Sequence, residues 1–404
     1  MITRRLTKYK DGIKSVINQM EGLNKCRRRF IIDIFCLFIS IPNRVNFLQL
    51  GRFGEYCEQH YRNQFENRFD FMAFNKTLIL NKGGGHYTIA FDPTYISKSG
   101  KKTPHIGWYW SGCSGRIKWG LELGGIAVID INNHTGFHLE AIQTPVTSEA
   151  FNLMDHYVKV LLDRKENLLD ISKYIVADAY FSKYKFVEGL NKEGLEVVCR
   201  LRNDADLKYL YQGEQKKGRG RPRKFTTKID YKSIDEKYFK TIEANENNII
   251  YNAIVYSKSL KRNINLVIVM TNKKGHWSHK LYFCTDLELD PLTILEYYKT
   301  RFQIEFIYRD GKQFCGLEDC QARSENKLHF HHNAALTAVN LAKFNYWITI
   351  EKEERPPFSM ATIKTLHYNE LLLKRFFNVF AILPNLRKNK RKLTELIRYG
   401  AIAA

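Results

Sequence analysis

Residues 298–312 read YKTRFQIEFIYRDGK, and the spacing of their polar residues decides the fold. Tyr298, Arg301, Glu305 and Lys312 stand at offsets 0, 3, 7 and 14. On an α-helix those positions fall within roughly 60° of one another. One stripe then carries a phenol, a guanidinium, a carboxylate and an ammonium. Surface pairing at i,i+4 explains Arg301 beside Glu305, with Arg309 joining in. It explains neither the reach to Lys312 nor the position after a run of strands. Asp290 as N-cap and Pro291 at the first helical position open this helix, which is predicted to run to about Phe314.

Upstream, the pattern is one of strands and then alternating elements. HYTIAFD (86–92) alternates and is rich in β-formers, and KWGLELGGIAVIDI and TGFHLEAIQTP follow, each bounded by turn residues. Residues 148–168 read as a helix with Phe151, Met154, Val158 and Leu161 on one face. YIVAD (174–178) is a buried strand, 181–194 a helix and LEVVCRL (195–201) another buried strand. This order defines a mixed α/β domain. Residues 203–289 break the rhythm as a mainly β insertion, with strands over 248–257, 263–271 and 279–285.

Before the Gly83–Gly85 junction, residues 1–84 are helical, broken at Pro42–Asn43. The segment RVNFLQLGRFGEYCEQHYRNQF (44–65) fits a DNA-reading helix-turn-helix and equally a small bundle packed on the main domain. The chain has 404 residues, 64 Lys plus Arg against 42 Asp plus Glu, and a formal net charge of +22. That surplus favours a polyanion, either nucleic acid or an acidic membrane. The most apolar run, Phe30–Ile41, contains Asp33 and is shorter than the roughly 20 residues a span requires. It reads as a buried helix, no small-residue cleavage site follows it, and a cytoplasmic protein with no membrane partner is expected. The eight cysteines are scattered, as free thiols in a reducing compartment would be.

The stretch 298–312 resembles the Y-x2-R-x3-E-x6-K signature of a large group of bacterial insertion-sequence DDE transposases, matching it at all four fixed positions. FDPTYISKSGKK (91–102) is similar to the group's first-Asp motif, with Asp92, Thr94, Lys98 and Gly100 in place. YIVADAYFSK (174–183) resembles the second-Asp segment, with Asp178 and Tyr180. The resemblance extends from about Arg44 through Lys343. It implies a ribonuclease-H-like α/β catalytic core over 85–202 and 290–345, interrupted by the β insertion (203–289). An all-helical DNA-binding region (1–84) precedes the core and a basic helical region (346–404) follows it.

The implied activity is metal-dependent cleavage at the ends of an insertion sequence and strand transfer into target DNA. Asp92, Asp178 and Glu305 would be catalytic and would hold two Mg²⁺ ions, with Mn²⁺ able to substitute. Mg²⁺ prefers oxygen ligands, and two ions about 3.5–4 Å apart stabilise the attacking and leaving oxygens of phosphoryl displacement. Asp92 would bridge both ions. Tyr298, Arg301 and Lys312 would hold phosphate and the displaced DNA end. The partners implied are double-stranded DNA, as element ends and target, and a second copy of the chain in a homodimer on DNA.

Residue-level readings compete at several places. Asp178 could cap a helix, a task Ser182 could also perform. Asp130, which ends a strand in IAVIDI, ranks as a distant second candidate acid. Trp277 could stack on a flipped base or simply pack in a β-hairpin. GRGRPRK (218–224) resembles an AT-hook, its Arg219, Arg221 and Arg223 suited to a narrow minor groove, and reads equally as a solvated linker. The stretch holding Cys315, Cys320, His329, His331 and His332 lacks the paired spacing of a zinc site. Two other functions fit the same residues: a catalytically inactive, transposase-derived DNA-binding protein, and a ribonuclease-H-like nuclease that cuts without joining.

Overall fold

Helical spacing of apolar residues makes the first part of the chain a succession of short helices: α1 (Ile2–Ile17), α2 (Lys25–Ser40), α3 (Phe47–Phe53), α4 (Glu58–Gln64) and α5 (Phe71–Lys82). Asn24, Asn46 and Asp70 cap α2, α3 and α5 by accepting from backbone N–H groups in the first turn. The computed structural model describes residues 2–146, 152–215, 222–381 and 390–401. Two compact units divide the chain. One comprises residues 1–86, 93–146 and 303–404, and the other residues 87–92 and 147–302.

The strands begin with β1 (Tyr87–Ser97), β2 (Gly107–Ser111), β3 (Arg116–Asp130) and β4 (Thr135–Gln143). After these four strands the chain alternates: α6 (Leu153–Leu162), α7 (Lys165–Leu169), β5 (Tyr174–Val176), α8 (Tyr184–Asn191) and β6 (Glu196–Leu201). The insertion contributes β7 (Leu207–Leu210), β8 (Phe225–Lys228), β9 (Lys240–Ala244), β10 (Asn248–Ser257), β11 (Arg262–Lys273) and β12 (His276–Cys284). Helices close the chain: α9 (Pro291–Thr300), α10 (Gln303–Phe314), α11 (Glu325–Tyr346), α12 (Met360–Val379) and α13 (Lys390–Arg398).

In the first unit β3 is antiparallel to β2 through Gly107–Gly120 to Ser111–Arg116, and to β4 through Leu123–Gln143 to Asp130–Thr135. Helix α11 covers β4. Two of its asparagines, seven residues apart, act as a substitute strand for β4's backbone. Asn340 accepts from His138 N–H (2.8 Å) and donates to His138 C=O (2.7 Å). Asn333 does the same for Ala141, at 2.7 and 2.9 Å. All four side chains and backbones are buried, so these bonds satisfy groups that water cannot reach. The N-terminal helices belong to this unit's core, where Phe30, Phe65 and Phe71 all meet Phe330 of α11.

In the second unit β5 is parallel to β1, with Ile89 opposite Ile175 and Ala90 opposite Val176. β6 is parallel to β5, with Ile175 opposite Val197 and Val176 opposite Val198. β12 then runs antiparallel to β6, β11 to β12, β10 to β11, and β7 and β9 to β10. Phe91, Tyr157, Phe181 and Phe186 form the aromatic core under α6 and α8.

Two expectations change. The helix predicted from Asp290 to Phe314 is two helices, since Arg301 and Phe302 form a turn between α9 and α10. Thr300 Oγ1 bonds the carbonyls of Glu296 (2.9 Å) and Tyr297 (3.0 Å), and such back-bonding bends a helix. The helix predicted over 148–168 is likewise split into α6 and α7, with Phe151 outside the described residues. Strand β1 continues past Asp92 to Ser97, and its ladder with β5 ends before Pro93, which has no N–H to offer.

Candidate active site

Alternation along β1 turns neighbouring side chains to opposite faces, so Phe91 is buried in the aromatic core while Asp92 is partly exposed. The parallel register of β1 with β5 carries further. Two residues beyond the paired Ala90 and Val176 stand Asp92 and Asp178. They occupy equivalent steps on neighbouring strand paths, which run about 4.8 Å apart. Asp178 lies just past β5, where its carboxylate accepts from Tyr180 N–H at 2.8 Å. Capping is therefore part of its role, and one oxygen remains for other work. Cys199 on β6 bonds the Asp178 carbonyl at 2.9 Å and fixes the backbone there.

Arg301 reaches into this arrangement, its Nη1 3.9 Å from Asp92 Oδ2. Tyr298 lies one turn back on α9, with its ring 4.9 Å from Tyr282. Burial, aided by the nearby Cys199, pushes its phenol up to about 12, so it stays a neutral hydrogen-bond donor. Asp92, Asp178, Tyr298 and Arg301 thus share the second unit. Glu305 and Lys312 lie on α10 in the first unit, Glu305 exposed in the first turn. Lys312 donates to Tyr95 C=O at 2.6 Å and lies 3.8 Å from Glu318. Burial lowers its pKa. The break at Arg301–Phe302 means the four signature residues do not form one continuous helical stripe.

Among the described residues no group of three or more His, Cys, Asp or Glu side chains is gathered closely enough to hold a metal ion. Two carboxylates at one register nonetheless suit Mg²⁺, which binds through one or two carboxylates and keeps waters and substrate phosphate oxygens as its other ligands. Asp130, the competing acid, is fully buried at the end of β3. It accepts from Gly84 N–H (2.7 Å), Asn133 N–H (3.0 Å) and Asn133 Nδ2 (2.8 Å). The Cys/His stretch is core and helix surface: Cys315, Cys320, His331 and His332 are buried, His331 bonds Gly316 C=O at 2.8 Å, and His329 pairs with Glu140 at 3.0 Å.

Trp277 pairs with Asn272 beside the turn of the β11–β12 hairpin and is 46% exposed. Arg219 and Arg221 lie outside the described residues. Arg223 is described, with its guanidinium 5.2 Å from the Tyr211 ring. One residue escaped the sequence reading. Val198 of β6 is opposite Val176, so Arg200 occupies the same step on β6 that Asp178 occupies beyond β5. Its charge acts on Tyr298. The signal was the Arg in LEVVCRL, uninterpretable until the strand pairing is known.

Residues 131–341 match the family described as the transposase DDE domain. The match covers more than half of the chain, and the protein belongs to that family. Asp178 and Glu305 lie within the matched segment, and Asp92 precedes it. No curated protein matches the chain. Membership implies a transposase acting on DNA with divalent metal ions. No helix among the described residues is long and apolar enough to cross a membrane.

Proposed function

We propose that this chain is an insertion-sequence transposase that cleaves the ends of its element and joins them to target DNA, with Asp92, Asp178 and Glu305 as the catalytic acids. The observation that carries the reading is that Asp92 and Asp178 each stand two residues beyond Ala90–Val176, the last pair of the parallel β1–β5 ladder. A ribonuclease-H-like core is supported by three features: the antiparallel β2–β3–β4 group, the parallel β1, β5 and β6, and the Glu-bearing helix after a β insertion.

Both chemical steps are displacements at phosphorus that exchange one P–O bond for another, first with water and then with the freed 3′-hydroxyl as nucleophile. Mg²⁺ ions held by Asp92, Asp178 and Glu305, when bound, would lower the pKa of the attacking hydroxyl and neutralise charge on the leaving oxygen. The chain's own groups orient the DNA. Arg301 offers a planar fork to a phosphate, and the neutral Tyr298 hydroxyl donates a hydrogen bond. Lys312 steadies β1 three residues beyond Asp92 through the Tyr95 carbonyl. Trp277, exposed at a hairpin end, is placed in the same reading as a stacking residue for the DNA end, and Arg219, Arg221 and Arg223 as minor-groove contacts. A homodimer would hold two element ends together.

The test is a joining assay with a pre-cut element end, a target plasmid and Mg²⁺. Covalent end–target product supports a transposase. End cleavage without any joined product would indicate a nuclease, and specific end binding without either product a DNA-binding derivative.

A further inference from the structure

The β2–β3 hairpin carries an aromatic face that the active-site reading does not use. Trp108 is 69% exposed, Trp110 60% and Ile117 60%. Cross-strand pairing sets Trp108 opposite Trp119 and Trp110 opposite Ile117, so all four side chains share one face. The Trp108 and Trp119 rings lie 5.5 Å apart, edge to face. Exposing three indole or alkyl side chains in a cluster is unfavourable for a chain that gains nothing from it.

The charge around this face is one-sided. Between Asp92 and Glu122 the chain has five Lys or Arg residues and no Asp or Glu. At the base of the hairpin a cleft of about 480 Å³ is lined by Arg44, Lys98, Lys101, Lys102 and Arg323. Its two carboxylates are engaged in the fold: Asp319 accepts from Val45 N–H at 2.8 Å, and Glu318 lies 3.8 Å from Lys312. Trp119 Nε1 donates to Gly100 C=O at 2.9 Å, which ties the aromatic face to the loop that walls the cleft.

We propose that this hairpin is a stacking platform for unpaired DNA bases, with the attached phosphate backbone running into the cationic cleft. Every base has a π-face, so an exposed tryptophan holds an unstacked strand whatever its sequence, while nearby cations follow the phosphates. A second copy of the chain is a poorer occupant, because the cationic cleft beside this face would be brought towards its own copy. The inference rests on the reading of the chain as a DNA-processing protein. It adds a site for single-stranded DNA built from residues other than Asp92, Asp178 and Glu305.

The experiment uses the full chain in EDTA, so that cleavage plays no part. A fluorescein-labelled oligothymidylate and a duplex of the same length are titrated separately, with tryptophan fluorescence as a second readout. The oligothymidylate should quench tryptophan emission. Trp108→Ala/Trp110→Ala should weaken its binding about tenfold or more while duplex affinity changes less than about twofold, and Trp108→Phe/Trp110→Phe should restore most of the loss. Lys101→Ala/Lys102→Ala should reduce the slope of log K against log salt by about 1.4 for the single strand. Unchanged oligothymidylate binding by the Trp108→Ala/Trp110→Ala protein overturns the proposal. So does loss of phosphatidylserine-vesicle binding or self-association in that variant with DNA binding intact. If wild type binds duplex but not single strand, this inference fails and the transposase reading stands. If it binds neither, both fail.

Discussion

Asn340→Ala is the sharpest test of how the first unit is held together. The substitution removes the hydrogen bonds to His138 N–H and C=O, at 2.8 and 2.7 Å, and a third to Asn75 Oδ1 at 3.0 Å. Asn340 and His138 are buried, so the two backbone groups are left without partners and without water. Each orphaned buried group costs about 1–3 kcal/mol, so the two backbone groups alone give roughly 2–6 kcal/mol. Domain stabilities run to about 5–15 kcal/mol, so the variant should lose a large part of its stability but still fold. Asn333→Ala, which strips Ala141 of the same pair of bonds, should lose a similar amount. The double variant should be largely unfolded at room temperature. Guanidinium unfolding followed by circular dichroism measures the difference. A loss below about 1 kcal/mol for Asn340→Ala would refute the idea that the asparagines stand in for a strand.

Other predictions concern the site and its pH dependence. Arg200→Ala should slow end cleavage by roughly 10- to 150-fold, the size of a lost hydrogen bond to a charged group, while leaving the unfolding midpoint unchanged; an unaltered cleavage rate would remove Arg200 from the site. Trp277→Ala should spare first-strand nicking and impair formation of a hairpin at the element end, and equal loss of both steps would count against its stacking role. His138, buried against Asn333 Oδ1 at 2.9 Å, has its pKa lowered by burial to about 4. The unfolded chain takes up that proton near pH 6.5, so this contribution, about 3 kcal/mol, is complete above pH 6.5 and lost as pH falls towards 4. Melting temperature should therefore fall across that window and fall less in His138→Gln; parallel curves for the two proteins would contradict the assignment.

Part of the candidate site was legible because an apolar run followed by an acid is a local pattern. Asp92 and Asp178 could be proposed from apolar runs ending in a carboxylate, and their equivalent register follows from the pairing of β1 with β5. What was not legible depends on contacts between distant residues. Arg200 acquires meaning only when β6 is known to lie beside β5. The break after Thr300 comes from a side-chain hydroxyl competing for helix carbonyls, a choice that residue spacing does not display. The strand read over 86–92 runs on to Ser97. The GWYWS strand is too short to stand out, although its alternation sets Trp108 and Trp110 on one face. Asn333 and Asn340 read as ordinary polar helix positions until β4 is seen beneath them.

Cleavage of a supercoiled plasmid carrying the element's own ends, in Mg²⁺ and in EDTA, with wild type and Glu305→Gln, tests the central claim most directly. The account predicts cutting at the ends in Mg²⁺ alone, by wild type alone. Cutting that persists in Glu305→Gln would contradict the assignment of the catalytic acids, and specific end binding with no cutting in any divalent metal would contradict the enzyme itself.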